Sequence, residues 1–253
     1  MTRRIPMDNC PNLRHLGGYQ SRTGGKIKDH TLFRSGTLAE LTDQDLQRLE
    51  ALNLAVIVDF RRKSEIANNP NRLPEGLLNC QRQLNISPGS LVEAFAHQSA
   101  EHMYSHMQQI NQSLALEQRS AYSAFFDELL NLNGGGLLFH CTAGKDRTGF
   151  AAALIMMALE IPRQTILEDY LLTGQYFVAE EQAKTFMSRL QDYSVDHQIT
   201  EAELLPVLST KREYLESAFA TIDAHFDSEQ AYLEATFGLD RHKQQALQDK
   251  FLF

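Results

Sequence analysis

Short apolar runs closed by turn residues alternate along this chain with longer stretches whose apolar positions recur every three or four residues. The run AVIVDF (55–60) is β-branched and predicts a short buried strand. GGLLF (135–139) predicts a second, and FAAALIMMALE (150–160) a buried helix. Thr42 predicts the cap of an amphipathic helix, DQDLQRLEAL (43–52), with Asp43 and Asp45 in its first turn. Glycine pairs around Tyr19 and the Thr23-Gly24-Gly25 turn predict short strands and hairpins over residues 12–36. Asn68-Asn69-Pro70 and Leu73-Pro74-Glu75-Gly76 break the chain before CQRQLNI (80–86), a further strand candidate. Residues 91–131 are polar-rich and helical in pattern, and everything from Thr148 onward reads as helix. Strands alternating with helices, then a helical tail, predict an α/β core with a helical C-terminal half.

Between the second strand and the buried helix lies HCTAGKDRTG (140–149), a tight loop in which a cysteine and an arginine stand six positions apart. Backbone amides at such a strand–loop–helix junction can surround a tetrahedral anion. Cys141 is expected at the bottom of that cradle. Amide donors, a helix N-terminus and a nearby guanidinium favour the thiolate, which needs no separate base. Arg147 offers a planar fork for two phosphoryl oxygens. Thr142, Ala143, Gly144 and Lys145 form the substrate-binding stretch: Ala143 and Gly144 keep side chains out of the way, and Gly144 permits a positive φ. Thr148 is expected to donate its hydroxyl to the sulfur, and His140 to orient the loop. The bland alternative is a buried core thiol with a surface arginine.

HCTAGKDRTG resembles the phosphate-binding loop of the cysteine-dependent protein tyrosine phosphatase superfamily, and its lysine–aspartate pair resembles the atypical bacterial and fungal branch. Asn12 to Tyr19, NLRHLGGY, is similar to that branch's NLRDLGGY signature, with His15 in place of aspartate. LFRSG (32–36) is similar to its LYRSG, and Asp59-Phe60-Arg61 with Glu65 to its DLRxxxE. Tyr214-Leu215 and Tyr232-Leu233 also fit. The resemblance implies a phosphatase-like α/β fold with a central, mostly parallel sheet flanked by helices, in one domain over residues 1–253. It also implies a paired-helix lid over about 175–222, from Gln175 to Leu190 with Phe177 and Phe186, then Glu201 to Ile222. The alternative is that these helices pack permanently on the core. The implied substrates are phosphotyrosine, other phosphoamino acids or phosphoinositides.

Such chemistry also needs an acid for the leaving oxygen. Between Asp59 and Asp127 there is no aspartate, and Asp127 falls inside an apparent helix, YSAFFDELL. Asp146 is the expected acid, an assignment the resemblance also implies; a carboxyl beside bound phosphate is pushed toward protonation by the like charge. Asp59 is the runner-up, with the alternative that it simply pairs with Arg61 or loop amides. Lys145 is either a second cation for extra phosphates or a solvated rim lysine. Arg14, Arg61, Arg62 and Lys63 are candidates for a basic mouth, Arg61 foremost.

The chain is 43% hydrophobic and 22% charged, which argues against disorder, and its net charge of −8 argues against a nucleic-acid partner. No metal or organic cofactor is called for. Cys10, Cys80 and Cys141 form no CxxC, so no disulfide scaffold is indicated. There is no apolar leader in MTRRIPMDNCPNL and no run of the roughly 20 apolar residues that spans a membrane. Cytoplasm is the default location; export without an ordinary signal stays open. His102 and His106, with His97 nearby, have zinc-like spacing but lack the glutamate of HExxH and a third ligand. The expected function is phosphomonoester hydrolysis through a cysteinyl phosphate. The alternatives are a non-catalytic phospho-binding module and a rhodanese-type sulfurtransferase, whose loop lacks the Arg-Thr-Gly continuation.

Overall fold

Five strands make one sheet: β1 (Arg14–His15), β2 (Leu32–Ser35), β3 (Leu54–Asp59), β4 (Gln81–Gln83) and β5 (Gly136–His140). The computed structural model describes residues 3–89, 99–190 and 200–253. Strand order is β1-β2-β5-β3-β4; β1 runs antiparallel to β2, and every other pairing is parallel. The uninterrupted apolar runs of β3 and β5 follow from burial on both faces. Leu137 and Phe139 point to one side with Val56 and Val58, while Leu138 points to the other with Ile57. A register irregularity between Leu54 and Val56 returns Leu54 to the face of Ile57.

Helix α1 (Asp43–Glu50) starts as predicted: the Thr42 side chain accepts from the Asp45 amide, and Asp45 returns the bond to the Thr42 amide. It covers the smaller apolar face with Leu13, Phe33 and Leu38. Then come α2 (Lys63–Asn68), a 3₁₀ turn (Glu75–Cys80), α3 (Ala100–Leu116) and α4 (Arg119–Leu130). The first part of the predicted 91–131 helical region lies outside the described residues. The helical C-terminal half comprises α5 (Asp146–Ala158), α6 (Arg163–Tyr176), α7 (Ala179–Leu190), α8 (Glu201–Leu208), α9 (Arg212–His225), α10 (Glu229–Phe237) and α11 (Arg241–Phe251). Helix α5 is buried from Thr148 to Ala158, which explains why its sequence is apolar all round.

Parallel pairing sets the site. Ser35 and Asp59 are both register partners of His140, so the carboxyl ends of β2, β3 and β5 lie side by side. The loops leaving them converge at that edge.

Candidate active site

The loop from Cys141 to Lys145 is held by its carbonyls. The Thr142 carbonyl accepts from the Thr37 amide at 2.8 Å. The Gly144 carbonyl accepts from Asn12 Nδ2 at 2.8 Å and from Arg34 Nη2 at 3.0 Å, and the Ala143 carbonyl takes a longer contact from Asn12 at 3.4 Å. In a trans peptide the N–H points opposite to its C=O. Pinning these carbonyls outward therefore turns the amides of Ala143, Gly144 and Lys145 to the other side. From Thr142 to Thr148 no backbone amide donates to an acceptor among the described residues; the first that does is Gly149, to the Lys145 carbonyl. Gly144 has φ +68°, and a Cβ there would lie 2.4 Å from the Ser35 carbonyl oxygen, so glycine is required twice over.

Cys141 is buried but lines a cleft of about 710 Å³, together with Thr142, Ala143, Lys145, Asp146 and Arg147. The Arg147 guanidinium donates from Nη1 to Glu65 Oε2 and from Nη2 to Glu65 Oε1, both at 2.8 Å. Thr142 Oγ1 donates to the same carboxylate at 2.6 Å, and the Arg62 amide at 2.9 Å. Burial alone would raise the Glu65 carboxyl, but Arg147, Thr142 and the Arg62 amide outweigh it and hold it well below the usual range. Arg147 is raised in turn, burial notwithstanding, by Glu65 and the negative groups around it. The Tyr122 hydroxyl donates to the Arg147 carbonyl at 3.1 Å. Lys145 Nζ pairs with Asp146 at 2.8 Å, and Asn111 Nδ2 and the Tyr170 hydroxyl reach the Asp146 carboxylate at 3.4 Å. The Asp146 side chain stays 18% exposed, open to the cleft. Thr148 Oγ1, at the start of α5, is buried and has no hydrogen-bond partner among the described residues.

Three residues predicted for the site stand behind it. Asp59 accepts from the Arg61 amide at 2.9 Å and from Arg61 Nη2 at 2.8 Å, and both side chains are buried away from the cleft. Burial opposes the charge on Asp59, yet His140 and Arg61 outweigh it and lower its carboxyl. His140 is fully buried, with Nδ1 3.2 Å from the Cys141 carbonyl and Nε2 3.6 Å from Asp59. Burial, partly opposed by Asp59, lowers its imidazole toward the neutral form. Arg61 thus faces Asp59 and Asn71 and not a basic mouth. Arg14 is also buried, against Asp169, while Arg62 lines the cleft and pairs with Glu65.

The region expected to supply a lid divides. Phe177, Gln182 and Thr185 from α7 and its approach, with Leu204, Val207 and Leu208 from α8, line the cleft. Helix α9 instead packs on α3 and the core, burying Tyr214, Leu215, Ala218, Phe219 and Ile222. Of the region expected to form a lid, residues up to Leu208 line the cleft and those of α9 do not. The Phe186 side chain and the break at 191–199 lie outside the described residues. Cys10 lines the cleft as a free thiol that burial pushes up to about 12; Cys80 is free and away from it. Among the described residues no group of three or more His, Cys, Asp or Glu is placed to hold a metal; His97 lies outside them. None of the described helices is long and apolar enough to cross a membrane.

Sequence reasoning missed Glu65 as the holder of Arg147, and Asn12, Arg34 and Asp169 as the frame behind Gly144. The matched motifs carried three of them: Asn12 opens NLRHLGGY, Arg34 stands in LFRSG, and Glu65 closes the DFR stretch. Asp169, in mid-helix, offered no signal.

A family model described as "Tyrosine phosphatase family" matches residues 5–253. A Cupriavidus necator protein carrying a tyrosine-protein phosphatase name is 31% identical over 242 residues, covering 93% of this chain and 85% of that one. The Mycobacterium tuberculosis protein named triple specificity protein phosphatase PtpB is 27% identical, covering 83% of this chain and 87% of its own. A solved structure of P. aeruginosa TpbA is 16% identical over 76% of this chain and 96% of its own, with a TM-score of 0.31, too slight a likeness to bear on the site. With a family model over nearly its whole length and a relative of this identity and coverage, the chain belongs to the tyrosine phosphatase family.

Proposed function

We propose that the chain hydrolyses phosphotyrosine through a cysteinyl-phosphate intermediate on Cys141. The observation that carries this reading is the loop itself. Seven consecutive amides without an acceptor among the described residues, a cysteine lining the cleft and an arginine fork fixed by Glu65 are the parts that phosphoryl transfer needs. Cys141 Sγ attacks phosphorus as the aryl oxygen departs, and Asp146 supplies that oxygen's proton. Arg147 and the amides of Thr142 to Thr148 hold the phosphoryl oxygens. Water then attacks phosphorus, giving its proton to Asp146, and the S–P bond breaks as the Thr148 hydroxyl donates to the departing sulfur. Free phosphate and the thiolate result. Asp146 is preferred to Asp59 because it lines the cleft, whereas Asp59 is locked on Arg61.

The same reading extends to phosphoserine, phosphothreonine and phosphoinositides. The cleft volume of about 710 Å³ and Lys145 support that breadth, as does the triple-specificity name of the M. tuberculosis relative. It also takes α7 and α8 as a cover over the cleft. Proteolysis between residues 190 and 200 that vanadate slows supports a moving cover; indifference to vanadate counts against it. The decisive test is turnover of p-nitrophenyl phosphate, abolished in Cys141→Ser. Turnover surviving that change, or none in the wild-type protein, defeats the proposal, the latter in favour of a non-catalytic binding module. A phosphate-release panel of phosphopeptides and phosphoinositides at matched concentration then ranks the substrates.

A further inference from the structure

The cations lining the floor of the cleft are each matched by a carboxylate. Arg147 faces Glu65 and Lys145 faces Asp146, both at 2.8 Å. On the exposed rim Arg62 shares Glu65 with Arg147, and Arg4, Asp8 and Glu40 complete a lining of four cations and four carboxylates. His140, behind the loop, is driven toward neutrality chiefly by burial. The side chains nearest the cradle therefore carry almost no net charge, although a thiolate and a phosphate dianion are to be held there.

Surplus positive charge lies directly behind the loop. Arg14, Arg34 and Asp169 are all 0–1% exposed, two guanidiniums sharing one carboxylate. Arg14 Nε meets Asp169 Oδ1 at 3.1 Å and Arg34 Nη1 meets Asp169 Oδ2 at 2.5 Å, while the Tyr19 hydroxyl donates to Asp169 Oδ1 at 3.1 Å. Burial alone would raise the Asp169 carboxyl, but the two arginines hold it down to about 2, so it is ionised. Burial and Arg14 lower Arg34 only to about 10, so it too is charged at neutral pH. Arg34 Nη2 donates to the Gly144 carbonyl at 3.0 Å, and a Cβ at Gly149 in the first turn of α5 would lie 3.4 Å from the same nitrogen. Arg34 Nε is buried without a partner among the described residues.

A neutral pair would anchor Gly144 as well. A buried surplus charge is unfavourable unless an anion opposes it, and the described residues bring no second carboxylate to this cluster. We propose that the Arg14–Asp169–Arg34 cluster is a positioning device that turns the Gly144 peptide and, through its surplus charge, holds the anion at Cys141. It rests on the reading of Cys141 as nucleophile. The loop peptide takes the mechanical part: its carbonyl is drawn to Arg34 and its amide faces the anion. The field adds the rest, because a charge this deeply buried is screened much less than one in solvent.

The test reads the pH midpoint of Cys141 alkylation by iodoacetamide, and the inhibition constant of inorganic phosphate, in variants checked for folding. Arg34→Met is expected to move the midpoint up by on the order of one pH unit and weaken phosphate about tenfold. Arg34→Lys, which keeps the charge and loses the fork, gives a smaller shift. Asp169→Asn enlarges the surplus and moves the midpoint down. A merely structural cluster lowers melting temperatures and leaves both readouts in place. A folded Arg34→Met with unchanged midpoint and phosphate inhibition overturns the proposal. Where Arg34→Met does not fold, an unmoved or upward midpoint in Asp169→Asn does so. Wild-type Cys141 that alkylates like an ordinary thiol and is not protected by phosphate instead overturns the nucleophile reading itself.

Discussion

Both terminal nitrogens of Arg147 are held by the two oxygens of Glu65 at 2.8 Å, across 82 residues of chain. The contact aims a flexible side chain before any substrate arrives, so the fork loses little freedom on binding phosphate. Glu65→Gln keeps the shape and removes the charge. Its kcat/KM for p-nitrophenyl phosphate is expected to fall about tenfold to a hundredfold, the scale of one charge-assisted hydrogen bond. Wild-type kcat/KM in this variant, at unchanged melting temperature, would show that Arg147 needs no such holder.

Asp146 and Asp59 separate by what each removal damages. Asp146→Asn is expected to slow aryl phosphates with poor leaving groups far more than good ones, since only the former need the proton. Asp59→Asn leaves Arg61 buried without its partner and is expected to cost about 3–5 kcal/mol of stability. The folded fraction of that variant keeps its leaving-group dependence. Rates against leaving-group acidity, with denaturant melts of both proteins, check the division. An equal, small loss on all substrates in Asp146→Asn would falsify its role as acid.

Gly144→Ala meets two obstacles, the positive φ and the Ser35 carbonyl 2.4 Å from the new methyl group. The strained backbone alone costs about 1–3 kcal/mol, and the collision adds to it. Gly24 is the control, because it also has positive φ, +98°, yet nothing lies within 4 Å of a Cβ there. Thermal melts should rank Gly144→Ala well below Gly24→Ala, with phosphatase activity lost only in the former.

Asp169 predicts an acid-limb dependence of stability. Its folded-state value of about 2 lies below the ordinary 3.8, so the stability it contributes is fully present above 3.8. That contribution is lost as pH falls from 3.8 toward 2. Melting temperature followed from pH 5 to pH 2 should fall less steeply in Asp169→Asn than in wild type. Parallel slopes would count against a carboxylate held ionised by the two arginines.

Much of the architecture was legible because it is written locally. The β-branched run before Asp59, the Thr42–Asp45 cap and the apolar stretch after Gly149 each fix one element within about ten residues. Asp59 and Arg61 show the opposite case. Their types suit a site at a strand end, but two positions apart they meet each other before either reaches the cleft. Helix α9 was equally unreadable as core or cover, since an apolar face does not say what it will be packed against.

By itself the sequence determined the chemistry on offer: a cysteine, an arginine, a small loop and a helix start within ten consecutive residues. Backbone geometry over so short a span follows from nearest neighbours. Only the tertiary structure decided which partners tune that chemistry, bringing Glu65 to Arg147 over 82 residues and Arg14 to Asp169 over 155. The first meeting is set by parallel strands delivering distant loops to one sheet edge, the second by a helix packed beside the antiparallel edge strand, and spacing along the chain encodes neither.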